Sequence, residues 1–208
     1  GATAVDDEAF SYAGIPWAST RASRPEKTFT ILFLSRIVKE KGIYEAVDAY
    51  QQVKTRYPYV TLTLAGEGPD LASVKAYVRD RSIPDVSFPG FVRGKSKASV
   101  FEQADVYLFP TSYGEGMPIS LLEAMAYGLP AITRPVAAVR DFFEEGKMGI
   151  LVESLDPADY ANALERLLTD RELRFKIGTY NHDYARNRFR AQEVARNMLQ
   201  LYQDISPL

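Results

Sequence analysis

VYLFPTSYGEGMPISLLEAMAYGLPAIT, residues 106–133, reads as one strand–loop–helix–strand unit. Residues 106–109 are a short apolar run of the kind buried on both faces of a sheet, and Pro110 stops it. A loop carrying Gly114 and Gly116 follows. Residues 118–127 are a predicted helix with Pro118 in its first turn and Gly128 just beyond its end, where the backbone preference of each fits. Residues 131–133 return as a strand.

The same alternation extends in both directions. Upstream, 28–34 (TFTILFL) is an apolar, β-rich run. Residues 42–56 place Ile43, Ala46, Val47, Tyr50 and Val53 at helical spacing. A second strand, 60–65, is closed by Gly66-Glu67-Gly68-Pro69. Residues 70–81 are a predicted helix, 86–88 a short strand and 97–103 a short helix. Downstream, a helix over 136–144 and a strand over 149–152 precede three helical segments, 157–168, 172–187 and 191–204. Six short strands alternating with helices predict an α/β chain, a Rossmann-like, doubly wound parallel sheet flanked by helices. Residues 1–27 have weak periodicity and read as a linker or irregular strap. Residues 28–208 read as one domain ending in helices.

The 208 residues carry a formal net charge of -2 and no cysteine. The lack of cysteine excludes a disulfide scaffold, thiolate metal sites and a cysteine nucleophile. The charge balance excludes a globally basic nucleic-acid binder. No apolar run reaches the ~18 residues of a membrane span. The opening residues have the pattern of neither a secretory signal nor a transit peptide. His182, set among polar residues, reads as a surface side chain. Tyr44, Tyr50, Phe101 and Tyr107 read as core by their spacing.

Ligands of doubly wound sheets bind beyond the carboxyl ends of the strands. That directs attention to the loops 35–41, 66–70, 89–96 and 110–118. The last of these enters a helix whose free N–H groups and positive dipole end make an anion site. Gly114 and Gly116 allow a ligand close to the backbone. Glu115 lies in the loop and Glu123 in the helix. Two carboxylates flanking a diphosphate suit a nucleotide sugar, one meeting sugar hydroxyls and the other ribose hydroxyls. Gly66-Glu67-Gly68-Pro69 imitates a dinucleotide fingerprint, but Pro69 interrupts it and Leu71 replaces the third glycine. Arg93, Lys95 and Lys97 read as a solvated loop, with contact to a phosphate or the base as the alternative. Arg171, Arg174, Lys176, Arg186, Arg188, Arg190 and Arg196 read as a solvated helical face, with docking to a partner domain or an acidic membrane as the alternative.

EGMPISLLEAMAYGLP, residues 115–130, resembles the E-x7-E segment of retaining GT-B glycosyltransferases, especially the large family 4. FLSRIVKEKG, 33–42, is similar to the family's G-R-L-x-x-E-K-G, with Ser35 in place of the usual glycine. AGEGP at 65–69 and FPGFV at 88–92 fall in family order. The resemblance spans about residues 28–204 and implies the C-terminal, donor-binding half of a two-domain enzyme. It implies that Arg36 and Lys41 hold the donor diphosphate and stabilise the charge that develops on the leaving group. It implies that Glu123 binds ribose and that Glu115 lies by the transferred sugar. Arg36, Lys41 and Glu115 are then the catalytic candidates. The backbone of Gly116, Met117, Pro118, Ile119 and Ser120 would meet the sugar and the distal phosphate, with one donor lost at Pro118, where many relatives have glycine. Gly66 would wall the nucleotide site, and Phe91 and Val92 would contact the base. With two cations at the diphosphate and no D-x-D motif, neither metal nor cofactor is expected.

The activity so implied is hexosyl-type transfer from a UDP-, GDP- or ADP-sugar to a glycan or lipid-linked glycan in polysaccharide biosynthesis. It would be cytoplasmic or peripheral at the inner membrane face. The expected partners are the nucleotide-diphosphate sugar, an N-terminal GT-B domain for which this length has no room, and a membrane-associated acceptor, with no nucleic acid. Alone, the chain is expected to bind nucleotide weakly and transfer little or no sugar. Its last helix would lack the domain it packs on in relatives. The alternatives are a non-catalytic nucleotide-sugar-binding module and a sugar-nucleotide epimerase on the same fold. A phosphorylase would need a pyridoxal-phosphate lysine motif, which is not found.

Overall fold

The computed structural model describes Ala4, Val5, Phe10, residues 28–114 and residues 116–205. Strands β1 (Phe29–Leu34), β2 (Val60–Ala65), β3 (Val86–Gly90), β4 (Val106–Phe109), β5 (Ala131–Thr133) and β6 (Gly149–Leu151) form one sheet in the order β3-β2-β1-β4-β5-β6. Every pairing is parallel, from Phe29 opposite Val60 at the centre to Thr133 opposite Leu151 at one edge. Parallel neighbours need a crossover, and helices supply it: α1 (Ile43–Arg56), α2 (Leu71–Asp80), α3 (Lys95–Gln103), α4 (Ile119–Ala126) and α5 (Val139–Phe142). Helices α6 (Pro157–Thr169), α7 (Arg171–Phe189) and α8 (Ala191–Ile205) complete the chain. Strand order reverses between β1 and β4, and the loops after these two strands leave the sheet edge side by side.

Two boundaries differ from the sequence reading in ways that have a cause. The helix expected over 136–144 is a single turn, Val139–Phe142. Ala137 takes φ 44, and the N–H groups of Val139 and Arg140 bond three residues back, so the segment before it is a tight turn. Pro118 stands before α4 as its extended N-cap instead of inside its first turn. Of the expected strap over 1–27, Val5 and Phe10 are buried in the core, and the Val5 N–H donates to the Phe189 carbonyl at 2.8 Å.

His182 is not a surface side chain. It is 9% exposed, and its Nδ1 meets the Ala126 carbonyl at the end of α4 at 2.7 Å, which makes Nδ1 the protonated nitrogen. Beside it, buried Asn181 donates to the carbonyls of Leu129 and Met148, both at 2.8 Å. Arg174 likewise leaves the solvated face expected of it. Its guanidinium donates to the Leu168 carbonyl at 2.7 Å near the end of α6 and lies over the Phe29 ring. The last carbonyls of a helix have no partner of their own, and a cation or donor there is favoured. His182 and Arg174 turn inward to close helix ends, whereas Asn181 ties the segments that lead into β5 and β6.

Gly42 joins a 3₁₀ turn, Lys39–Lys41, to α1. Its φ is 78, and an added Cβ would stand 2.3 Å from the Pro110 carbonyl oxygen. The Gly42→Ala substitution is therefore expected to destabilise the chain by ~1–3 kcal/mol or more, from left-handed strain and from displacement of the loop after β4. A lower urea midpoint would show it, and an unchanged midpoint would contradict the close approach.

Candidate functional site

Beyond Leu34 the chain keeps bonding to its neighbour. Ser35 N–H donates to the Ala65 carbonyl at 3.2 Å, Ile37 N–H to Glu67 at 2.8 Å, and Asp70 N–H to Ile37 at 3.2 Å. The Asp70 carboxylate accepts from the Lys39 N–H at 2.7 Å. This proximity is why Gly66 is glycine: a Cβ there would meet the Ser35 carbonyl oxygen at 1.9 Å. Gly66 N–H in turn donates to Gly90 at 2.8 Å, so the loops after β1, β2 and β3 are tied in series. Ile37 is buried and Arg36 exposed, so the side chain of Arg36 stands at the open edge. Burial and the nearby Asp70 push the Tyr44 phenol, on the first turn of α1, above its ordinary value.

The other flank is tied to the loop after β4. Ser112 donates its N–H (2.9 Å) and its hydroxyl (3.2 Å) to the Glu40 carbonyl, and Thr111 Oγ1 adds a third contact at 3.4 Å. Lys41 is buried, with Nζ 4.6 Å from the Tyr113 ring centroid and 5.8 Å from that of Phe109. One loop thus carries an exposed cation, Arg36, and a cation held on aromatic faces, Lys41.

Helix α4 points its N-terminus at the same edge. Among the described residues no side chain caps it, while the Leu121 and Leu122 N–H groups already bond to Pro118. Ile119 and Ser120 carry the first-turn N–H groups, which have no acceptor within the helix. Tyr107 sits below, its hydroxyl 2.8 Å from the Leu34 carbonyl and 2.8 Å from Ser120 Oγ, joining the root of the Arg36 loop to the start of α4. Glu123, one turn further on, is 7% exposed and not solvated. Its Oε1 accepts from Lys97 Nζ at 2.6 Å, so Lys97 is a paired side chain on α3 and not part of a solvated loop. Phe91 is 67% exposed, whereas Val92 turns into the core. Gly114 and Gly116 have open space where a side chain would stand, and Met117 packs partly on the core. Glu115 lies outside the described residues.

The structure therefore brings Arg36, Lys41, Gly66, Phe91, Ile119, Ser120 and Glu123 to one end of the sheet. Cations, free N–H groups and a buried carboxylate there can bind an anion attached to a polyol. Among the described residues no three His, Asp or Glu side chains are grouped to hold a metal ion, and no helix is long and apolar enough to cross a membrane. A separate groove of about 830 Å³ runs along α7, lined by Lys147, Lys176, Tyr180, Tyr184 and Arg188 among others, and none of the residues just named borders it. Sequence reading missed Tyr107 and Lys97 as site residues. A phenol in an otherwise apolar buried strand needs a partner, and that was a usable signal. For Lys97 the sequence offers only its place in a basic cluster, and its partner Glu123 is 26 positions away.

The family model of glycosyl transferases group 1 matches residues 18–184. The chain belongs to this family. Among curated relatives, D-inositol 3-phosphate glycosyltransferase of Paenarthrobacter aurescens is 32% identical over 191 residues, covering 89% of this chain and 46% of the relative. Phosphatidyl-myo-inositol mannosyltransferase of Mycobacterium leprae is 30% identical over 189 residues, covering 89% and 49%. The chain spans under half the length of these relatives. HepE of Anabaena, solved with UDP and glucose, superposes with a TM-score of 0.79 at 18% identity, over 96% of this chain and 55% of that one. The C-terminal domain of LpcC, a glycosyl transferase group 1 protein of Francisella tularensis, has a TM-score of 0.71 at 24% identity, over 91% and 96%. The shared fold is that of a GT-B glycosyltransferase domain.

Replacing Tyr107 by Phe leaves the Leu34 carbonyl without this donor. A loss of about 1–2 kcal/mol in stability is expected, read as a lower denaturation midpoint. Unchanged stability would show that the bridge between β1 and α4 contributes nothing.

Proposed function

We propose that the chain is the donor-binding domain of a retaining glycosyltransferase that takes a nucleotide-diphosphate sugar and passes the sugar to a glycan or lipid-linked glycan. The observation that carries this reading is the convergence of Arg36, Lys41 and the uncapped start of α4 at the strand-order reversal, with a buried carboxylate one turn along the same helix. In this reading the bond from the sugar's anomeric carbon to the diphosphate breaks, and negative charge grows on the departing oxygen. Arg36 and Lys41 neutralise that charge as it develops. The N–H groups of Ile119 and Ser120 take the distal phosphate, with Pro118 withholding one donor. Glu123 accepts from the ribose hydroxyls, Phe91 and Val92 border the base, Gly66 walls the site, and Glu115 positions the sugar. The diphosphate is held without a divalent ion.

Support from relatives is of class. HepE was solved with UDP and with UDP-glucose, and TarM of Staphylococcus aureus with UDP. The acceptor would be held by a second domain of the full-length enzyme, and alone the chain would bind donor and transfer little.

Arg36→Ala and Lys41→Ala should each weaken UDP or GDP binding by ~1–3 kcal/mol, the range for charge-assisted hydrogen bonds. Calorimetry on variants with native circular dichroism measures it, and unchanged affinity in both would sink the proposal. The same titration in EDTA and in magnesium should give similar affinities. A tenfold gain with magnesium would show that an ion carries part of the diphosphate charge.

A further inference from the structure

Lys97 and Glu123 meet across two helices, and a second contact runs parallel to theirs one turn further on. Lys97 Nζ stands 2.6 Å from Glu123 Oε1, with the side chains 31% and 9% exposed. Four residues further along the chain from each, Phe101 of α3 stacks on Tyr127, the C-cap of α4, ring centroids 4.9 Å apart and planes 11° apart. Residues four apart share a helix face, so the ring stack fixes α3 against α4 and holds the ion pair in that frame. The start of α3 is fixed as well. Gly94 takes φ 49 and ψ -130, a conformation open essentially to glycine alone. Ser96 Oγ donates to the Arg93 carbonyl at 2.8 Å and accepts from the Arg93 N–H at 3.1 Å. Lys97 is thereby joined to the same loop as Phe91 and Val92.

A carboxylate removed from water needs a compensating partner. Lys97 is the side chain that bonds to Glu123 among the described residues, and it occupies only Oε1. Oε2 keeps its capacity to accept from a ligand. We propose that Lys97 is a positioning residue for ribose recognition: it pins Glu123 by Oε1 so that Oε2 accepts from the ribose hydroxyls, and so sets the preference for ribonucleotides over deoxyribonucleotides. The inference rests on the reading of Glu123 as the ribose-binding carboxylate.

The test is calorimetry of the 208-residue chain with UDP and GDP and with their 2′-deoxy and 3′-deoxy forms. The chain should favour the ribonucleotides over at least one deoxy form by about tenfold or more, the size of a hydrogen bond to a charged group. Lys97→Met should bring that ratio close to one, as Glu123→Gln does, while Lys97→Arg keeps it. The double variant should lose no more than either single one. Native circular dichroism of each variant guards against misfolding, and the ratio itself is insensitive to a general loss of binding. If Lys97→Met lowers all affinities alike and keeps the ratio, its role is structural and the inference fails while Glu123 keeps its own. If Glu123→Gln also keeps the ratio, the ribose reading itself falls.

Discussion

One loop is bonded on both sides. Residues 35–41 give the Ile37 N–H to Glu67, receive the Asp70 N–H at Ile37, and receive the Ser112 N–H at Glu40. The candidate site depends on this double tie. Several backbone groups of the loop bond to the segments after β2 and β4, so Arg36 and Lys41 start from a braced backbone. Gly42 and Gly66 stand where a side chain would force these loops apart. Sheet order and site are one arrangement: the reversal falls between β1 and β4, and the Ser112–Glu40 bond joins the loops that follow these two strands.

At the opposite end of the structure, side chains of α7 donate to buried carbonyls. His182 on α7 meets the Ala126 carbonyl that ends α4, Asn181 meets those of Leu129 and Met148, and Arg174 meets those that end α6. Helix α4 is therefore closed at its C-terminal end and left uncapped at its N-terminal end. The open end faces the donor edge, where an anion can take the role of cap.

Much of this was legible in the sequence. Short apolar runs between turn signals mark the strands, because a strand buried on both faces needs nothing else. Loops that follow strands mark the ligand edge, and Arg36, Lys41, Gly66 and Glu123 all lie there or one turn beyond. The illegible parts are tertiary. Lys97, His182 and Arg174 look like solvated polar residues in local sequence, and each has a partner 6 to 56 positions away. The one-turn α5 was over-read because its residues favour helix while Ala137 takes a left-handed turn. Glu115 is read from its place in the loop and from the motif, and lies outside the described residues.

The central claim is that nucleotide binds at the reversal edge, and backbone resonance mapping during a UDP titration tests it most directly. The account predicts that amide shifts concentrate in residues 35–41, 91–92 and 116–123. Shifts confined to the α7 groove around Lys147, Tyr180 and Arg188, with the reversal edge unmoved, would contradict it.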